Sequence, residues 1–394
     1  MAVGVVSRGR KSECVLAGRY RVTVFDGPEL PEHGGRLNAA ADRWGIPSEQ
    51  WLDLSTGINP VPWPVPAIPA EVWQRLPEPE DGLEEIIRIW AGAPEHACCL
   101  PVAGSQAAIM ALPAVRARMH GFGRVAVPMP GYREHGHAWR RAGFDVVAIP
   151  EQATMQAELA WLDSVDVVVW IQPNNPTGQL IPVEQLLVWR ERLRARQGWL
   201  IVDEAFLPAC DQQSLIAAGA LKGLIVLKSM GKFFGLAGLR AGAVIAEAET
   251  GRALRSELGP WPVSGPARYM MAEMLQDRAW QQQTRDLLEH QSQRLGELLS
   301  ELGLGLSDGT ILFRYLRHAR AKDFHRELAQ KGILVRLFEN PLAIRVGLPG
   351  TEQEWQRLEQ ALERLVGHWA GGHQSRPLSR SRIGDHRAEA DRDG

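Results

Sequence analysis

The middle of the chain alternates short apolar runs with longer amphipathic stretches. The apolar runs after residue 123 are RVAVPMP, DVVAIP, DVVVWIQP, WLIVDEAF and GLIVLKSM. Runs that are apolar throughout are typical of strands covered on both faces, and the 3.6-residue period of the segments between them indicates helices. The pattern therefore predicts an α/β large domain over residues 82–258, in which helices cover both faces of a mostly parallel sheet.

The pattern changes after residue 258. A long helical period over about 264–302 precedes three further apolar segments and two amphipathic ones, which are ILFRYL, KDFHRELAQK, GILVR, LAIRVGL and EQEWQRLEQALERLVGHW. Strands that have helices packed on one side only are typical of α+β structure. Residues 259–370 are therefore predicted to form a smaller α+β domain.

The two ends of the chain have weaker patterns. Residues 1–30 have no clean period and are expected to form a poorly ordered N-terminal extension. Residues 31–81 are expected to form an arm over the surface, because the prolines crowded between 60 and 79 exclude regular helix there. Residues 371–394 are polar and mixed in charge, so a disordered tail is expected.

Composition excludes several classes of protein. The chain is 45% hydrophobic and 23% charged with a net charge of −2, which fits a folded protein with no nucleic-acid partner. The four cysteines, at positions 14, 98, 99 and 210, show neither a CxxC nor a zinc-type spacing, so neither a metal site nor a disulfide framework is expected. No apolar run reaches the roughly 20 residues of a membrane helix. We therefore expect a soluble, cytoplasmic protein without a membrane partner.

Four short segments carry candidate chemistry. Lys232, in KSMGKFFGLAGLRAG, lies among small and aromatic residues that would desolvate its amine and favour a nucleophile, although most lysines are solvated surface groups. Asp203, in WLIVDEAF, ends a predicted strand, where an acid points into a ligand site or simply caps a helix. QPNNPTGQ is a turn cluster, and AGSQAAI is a loop that opens a helix and could hold a phosphate.

The order of NNPTG, DEAF and KFFGLAGLR resembles the fold-type I aminotransferases that use pyridoxal 5′-phosphate, and the resemblance extends from His33 to Leu365. It implies that Lys232 is the catalytic lysine, which holds the cofactor as a Schiff base. It also implies that Arg240, Ser229 and the backbone amides of Ser105 and Gln106 bind the cofactor phosphate. Paired N–H groups of arginine suit that contact.

The resemblance assigns three further residues to the cofactor ring. Asn175 is expected to bind the ring oxygen, Asp203 to pair with the pyridine nitrogen and keep the ring an electron sink, and Tyr132 to stack on the ring, unless it is a plain core aromatic. Phe206 stands where many relatives have tyrosine, so one hydrogen bond to the ring oxygen should be missing. Two further departures concern the cofactor phosphate. Relatives commonly have a serine where this chain has Gly231 and a tyrosine where it has Leu76, and both of those side chains contact the phosphate.

The substrate residues are also implied by the resemblance. Arg345 matches the arginine that pairs with an α-carboxylate, whereas Arg336 and the segment His33, Gly34 and Gly35 match positions that face a second anionic group, a phosphate. Two separate cationic features suit a substrate with two anionic ends. For Arg336 an ordinary surface ion pair stays open as the alternative.

The reaction depends on which bond at the substrate α-carbon is weakened, and a sequence hardly shows this. The blocks HGGRL, WLDLSTGINPVPWPVP and RLPEPEDGL are similar to the threonine-phosphate decarboxylase branch of the family. This similarity implies a carboxy-lyase that converts L-threonine O-3-phosphate to (R)-1-amino-2-propanol O-2-phosphate in cobalamin biosynthesis. Histidinol-phosphate aminotransferase and a non-catalytic scaffold of the same fold are the alternatives. By analogy with the family, a homodimer is expected.

Overall fold

The computed structural model describes residues 33–150, 159–208 and 211–371, together with two short antiparallel strands, β1 (Cys14–Leu16) and β2 (Tyr20–Val22). The expectations for the N-terminal extension and the C-terminal tail otherwise fall outside the described residues, apart from Gly371, which ends the last helix. Within the described ranges, no helix combines the length and apolar character needed to cross a bilayer.

A seven-stranded sheet lies at the centre of the large domain. Its strands are β4 (Cys98–Val102), β5 (Arg124–Met129), β6 (Asp145–Pro150), β7 (Val167–Ile171), β8 (Trp199–Asp203), β9 (Leu224–Ser229) and β10 (Gly242–Ala246). In space they follow the order β4-β10-β9-β8-β7-β5-β6. Only β10 runs antiparallel to its neighbours, which confirms the predicted mostly parallel sheet.

Both faces of this sheet are covered, as the apolar runs predict. The helices of this region are α3 (Leu83–Ala91), α4 (Ser105–His120), α5 (Arg133–Arg141), α6 (Val183–Arg194) and α7 (Ala248–Leu258). In β7, Val167 and Val169 pack into one hydrophobic cluster, whereas Val168 and Trp170 pack into another. Successive side chains of a strand point to opposite faces, so a strand buried on both sides is apolar throughout.

The C-terminal part contains a four-stranded antiparallel sheet in the order β11-β12-β15-β14. Its strands are β11 (Asp308–Thr310), β12 (Phe313–Arg317), β14 (Arg336–Glu339) and β15 (Leu342–Gly347), and its helices are α8 (Gly265–Gln276), α9 (Arg278–Glu301), α10 (Ala321–Ala329) and α11 (Glu352–Gly371). The helical region predicted over 264–302 is therefore two helices. Asp277 separates them, and its carboxylate caps α9 by accepting a hydrogen bond from the Trp280 amide at 3.0 Å.

The segment before the large domain is more structured than an extended arm. It contains α1 (Leu37–Trp44), β3 (Leu52–Asp53) and α2 (Ala70–Gln74). Strand β3 pairs in parallel with β13 (Ile333–Leu334) of the C-terminal part. The expectation that prolines exclude helix is wrong for α2, which fits between two prolines because Pro69 lies at its N-cap, outside the helical hydrogen bonds. The domain boundaries themselves stay a prediction.

Candidate active site

The residues predicted to bind the cofactor lie at one edge of the large sheet. Asp203 and Ser229 end the parallel strands β8 and β9, and the Asn174–Asn175 turn and Tyr132 follow β7 and β5. The carboxyl ends of parallel strands share one edge, where ligands commonly bind in open α/β sheets. The topology therefore brings together side chains that are far apart in the sequence.

A cavity at this edge is built to hold an anion. Its lining residues are Gly104, Ser105, Gln106, Tyr132, Ser229, Gly231, Lys232, Ala237, Arg240 and Ala241. Helix α4 begins in this cavity, and no side chain of the described residues caps its first turn. The positive end of the helix and its first amides therefore face the cavity. The Arg240 guanidinium lies beside this helix start. This donor set fits a phosphate group.

Glycine is required where the helix and the arginine meet. Gly104 has φ +72° and ψ 158°, a backbone conformation that is essentially restricted to glycine. A Cβ atom there would lie 3.1 Å from Nη2 of Arg240. A Cβ atom on Gly242 would lie 2.8 Å from the Ser105 amide nitrogen. Side chains at either position would therefore crowd the groups that line the anion site.

Lys232 lies at the inner side of this cavity. Its Nζ atom is 5.6 Å from the centre of the Phe206 ring. Burial, together with the nearby positive charges of Arg345 and Arg240, lowers the pKa of Lys232 from 10.5 to about 8, and Asp203 partly opposes this shift. The amine is therefore more often neutral at physiological pH than an ordinary lysine, as covalent binding of an aldehyde requires.

Asp203 is paired with a histidine that the sequence analysis missed. The buried Asp203 carboxylate accepts hydrogen bonds from Nε2 of His135 at 2.8 Å and from the Ala205 amide at 3.1 Å. His135 is itself only 2% exposed. It lies on the buried face of α5 with Ala138 and Trp139, so helical periodicity could have placed it in the core without identifying its partner.

The carboxylate next to Asp203 has a different environment. Glu204 lies 2.7 Å from Nζ of Lys228, and both side chains are at most 1% exposed. Successive side chains of extended backbone point to opposite sides, so Asp203 at the end of β8 and Glu204 directly after it diverge, as do Lys228 and Ser229 of β9. One acid therefore joins the candidate site and the other joins a buried ion pair.

Arg345 occupies a second, buried part of the site. Its Nη1 donates to Oδ1 of Asn175 and its Nη2 donates to the Ser55 carbonyl, both at 2.6 Å. Burial lowers the pKa of Arg345 to about 10, Arg336 adds to the shift and Asp53 opposes it. The guanidinium therefore stays charged at neutral pH and presents a planar cation for a carboxylate.

Arg336 and the glycines of the HGG segment, which were predicted to face a second anion, lie near Arg345. Arg336 on β14 is paired in register with Arg345 on β15, which places both side chains on one face of the small sheet. The glycines of the HGG segment lie against Ser55: a Cβ atom on Gly34 would be 2.4 Å from the Ser55 carbonyl oxygen, and the Gly35 amide donates to Ser55 Oγ at 2.7 Å. The segment is thus held next to the arginine.

Tyr132 and His33 connect the two parts of the site. Tyr132 Oη lies 3.3 Å from Oε1 of Gln106, and the Tyr132 ring centre is 5.8 Å from that of His33. Burial, together with the nearby charges of Glu134 and Asp203, raises the pKa of Tyr132, so its hydroxyl stays protonated.

Leu76, which stands where relatives commonly have a tyrosine, is 65% exposed in the single chain.

Comparison with known proteins identifies the family. The sequence profile of class I and II aminotransferases matches residues 92–365. A threonine-phosphate decarboxylase of Pseudomonas aeruginosa is 50% identical over 332 residues, which cover 84% of this chain and 97% of that protein. A threonine-phosphate decarboxylase of a Sinorhizobium species is 36% identical over 342 residues, with 84% and 98% coverage.

Solved structures agree on the fold. The histidinol-phosphate aminotransferase of Sinorhizobium meliloti, crystallised in complex with pyridoxal 5′-phosphate, superimposes with a TM-score of 0.69 at 20% identity over 86% of this chain and 96% of that one. The profile match spans well over half of the chain, and the P. aeruginosa relative is similar over nearly its whole length. The chain therefore belongs to the class I and II aminotransferase family.

Proposed function

We propose that this protein is a pyridoxal 5′-phosphate-dependent decarboxylase that converts L-threonine O-3-phosphate to (R)-1-amino-2-propanol O-2-phosphate and carbon dioxide, a step of cobalamin biosynthesis. The observation that carries the proposal is the 50% identity to a threonine-phosphate decarboxylase over 97% of that protein. The structure supports it with one anion site at the sheet edge, where a cofactor phosphate fits, and a separate arginine pair for a substrate with two anionic groups.

The cofactor would be held by residues of the sheet edge. Its phosphate would accept hydrogen bonds from the first amides of α4, at Ser105 and Gln106, from Ser229 Oγ and from the Arg240 guanidinium. Each of these four residues lines the anion cavity. The dipole of a 16-residue helix adds favourable electrostatics for the phosphate at this end.

Three other side chains would bind the rest of the cofactor. Asp203 would pair with the pyridine nitrogen and is itself held by His135 at 2.8 Å. Asn175, oriented by its contact with Arg345, would bind the ring oxygen, and Tyr132 would lie against the ring face. When bound, pyridoxal 5′-phosphate supplies an electron sink for the electron pair left at the substrate α-carbon.

The protein's own groups then orient the substrate and move one proton. Arg345 binds the α-carboxylate, and His33 and Arg336 bind the phosphate ester. The bond between the α-carbon and the carboxylate breaks, carbon dioxide leaves, and its bonding electrons stay at the α-carbon. Lys232 Nζ, whose pKa near 8 suits proton transfer at neutral pH, donates the proton that completes the amine product.

The test is a product assay. Purified protein with added pyridoxal 5′-phosphate should release carbon dioxide and aminopropanol phosphate from L-threonine O-3-phosphate. Unphosphorylated threonine is the control for the phosphate contact.

The second candidate, histidinol-phosphate aminotransferase, rests on the solved structure at 20% identity, a likeness of fold alone. Glutamate formed from histidinol phosphate and 2-oxoglutarate, without carbon dioxide release in the first assay, would favour it instead.

We also propose a cytoplasmic homodimer. Four large apolar side chains of the proline-rich segment, Val61, Val65, Trp73 and Leu76, are 44–65% exposed in the single chain. Exposed apolar side chains of this size suit a protein interface. The partner would be a second copy of the same chain. A fully active monomer in sedimentation experiments would reject the dimer.

A further inference from the structure

Glu134 is a buried acid to which the proposed reaction assigns no part. It lies in the first turn of α5, and its side chain is only 9% exposed. Both of its oxygens are engaged. Oε1 contacts Nε2 of His33 at 2.8 Å, and Oε2 accepts a hydrogen bond from Nε2 of Gln106 at 2.9 Å. A buried carboxylate is costly unless it is bonded in this way, so its place at the site needs a reason.

The two partners of Glu134 belong to different parts of the site. Gln106 lies at the start of α4, in the wall of the anion cavity. His33 opens the HGG segment, whose two glycines are fixed against Ser55, and the Ser55 carbonyl in turn accepts a hydrogen bond from Arg345. Glu134 therefore links the cofactor side to the substrate side through direct contacts with a residue of each.

The contact also orients the His33 ring. A carboxylate oxygen only accepts hydrogen bonds, so Nε2 of His33 carries the proton that it shares with Glu134. Ring geometry then turns Nδ1 away from Glu134. The His33 side chain is 46% exposed, so a ligand can reach it although its partner is buried.

We propose that Glu134 is a positioning residue for recognition of the substrate phosphate ester. It fixes the His33 ring so that, in the imidazolium form, Nε2 donates to Glu134 and Nδ1 donates to the phosphate. Its second oxygen holds Gln106 at the cofactor cradle. The inference rests on the proposed function, because it takes the phosphorylated amino acid as the ligand of His33. It adds that the two anion sites are coupled through one acid.

A double-mutant cycle tests this role. We would compare the holoenzyme with Glu134→Gln, His33→Ala and the double variant, and use Glu184→Gln as the matched control, since Glu184 is an exposed acid in the first turn of α6. Glu134→Gln should raise the KM for L-threonine O-3-phosphate about tenfold at unchanged kcat, as expected for loss of a charged hydrogen-bond partner. The same change should add little in the His33→Ala background, and Glu184→Gln should behave like the wild type.

Three results would overturn the inference. These are an unchanged KM in Glu134→Gln, additive effects in the double variant, and loss of cofactor affinity or thermal stability as the only change. If Glu134→Gln does not fold, Glu134→Asp tests the same contact, because it keeps the charge but shortens the side chain that reaches His33. It should raise KM in the wild-type background and add little in the His33→Ala background, and an unchanged KM would refute the role.

Failure of the proposed function has a different signature. In that case the wild type makes no product from L-threonine O-3-phosphate. Calorimetric titration of the holoenzyme with the same compound then tests Glu134 independently of turnover. About tenfold weaker binding by Glu134→Gln would support its role, and equal binding would refute it.

Discussion

The adjacent acids Asp203 and Glu204 should respond in opposite ways to the same chemical change. Glu204 lies 2.7 Å from the Lys228 amine, with both side chains at most 1% exposed. It also accepts hydrogen bonds from Ser214 Oγ at 2.8 Å and from the Leu215 amide at 3.0 Å. Removing one partner of a buried ion pair leaves an uncompensated charge, which costs about 3–5 kcal/mol. Glu204→Gln should therefore remove a large part of a typical stability of about 5–15 kcal/mol.

Asp203→Asn should affect activity more than stability. Asparagine keeps the shape of the side chain and one oxygen, which can accept from the Ala205 amide, while its NH2 group can donate to Nε2 of His135 in the other tautomer of that ring. We therefore expect a change of about 1 kcal/mol in the free energy of unfolding. It loses the charge that faces the cofactor, and removal of one such electrostatic group lowers kcat on the order of a hundredfold.

Stability is measured by guanidinium unfolding of the cofactor-free variants, monitored by tryptophan fluorescence and circular dichroism. Activity is measured as kcat of the holoenzymes. The double variant Glu204→Leu with Lys228→Met serves as the control, because apolar replacement of the whole pair should recover most of the lost stability. A fully stable Glu204→Gln protein, or a double variant no more stable than the single one, would refute this account of the pair.

Three further predictions concern the site itself. Because the pKa of Lys232 is lowered to about 8, the rate at which cofactor-free protein binds pyridoxal 5′-phosphate should rise with pH and level off above about 8, and a rise that continues to pH 10 would contradict the shift. Arg345→Gln should raise the KM for the substrate about a hundredfold, since a buried charge partner is lost, and an unchanged KM would remove Arg345 from the carboxylate site. His135→Asn should lower kcat about tenfold, and it should add little to Asp203→Asn if it acts through that acid.

The local sequence pattern indicates which residues lie at the carboxyl edge of the large sheet. Residues such as Asp203, Ser229 and Ser105 stand where an apolar run meets a turn, and a parallel sheet gathers all such ends at one edge. The α/β fold with a mostly parallel sheet followed from strands that are apolar on both faces. The family resemblance, carried by three motifs in order, supplied the roles that the residues alone left open.

Most of the missed features depend on pairs far apart in the chain. His135 meets Asp203 across 68 residues, and Glu134 meets His33 across 101 residues. Helical period indicates that both residues face inward, but it does not identify the group they meet. The pairing of β3 with β13 is likewise non-local. The break between α8 and α9 was missed for another reason, because the apolar period continues across Asp277, which caps the second helix.

The amine of Lys232, at the carboxyl edge of the large sheet, should bind pyridoxal 5′-phosphate covalently. Borohydride reduction of the holoenzyme, followed by proteolysis and mass spectrometry, tests it most directly. We expect a reduced pyridoxyl phosphate adduct on Lys232, none on Lys228 four residues earlier, and none in Lys232→Ala. An adduct on Lys228, or wild-type protein that stays unlabelled at saturating cofactor, would contradict it.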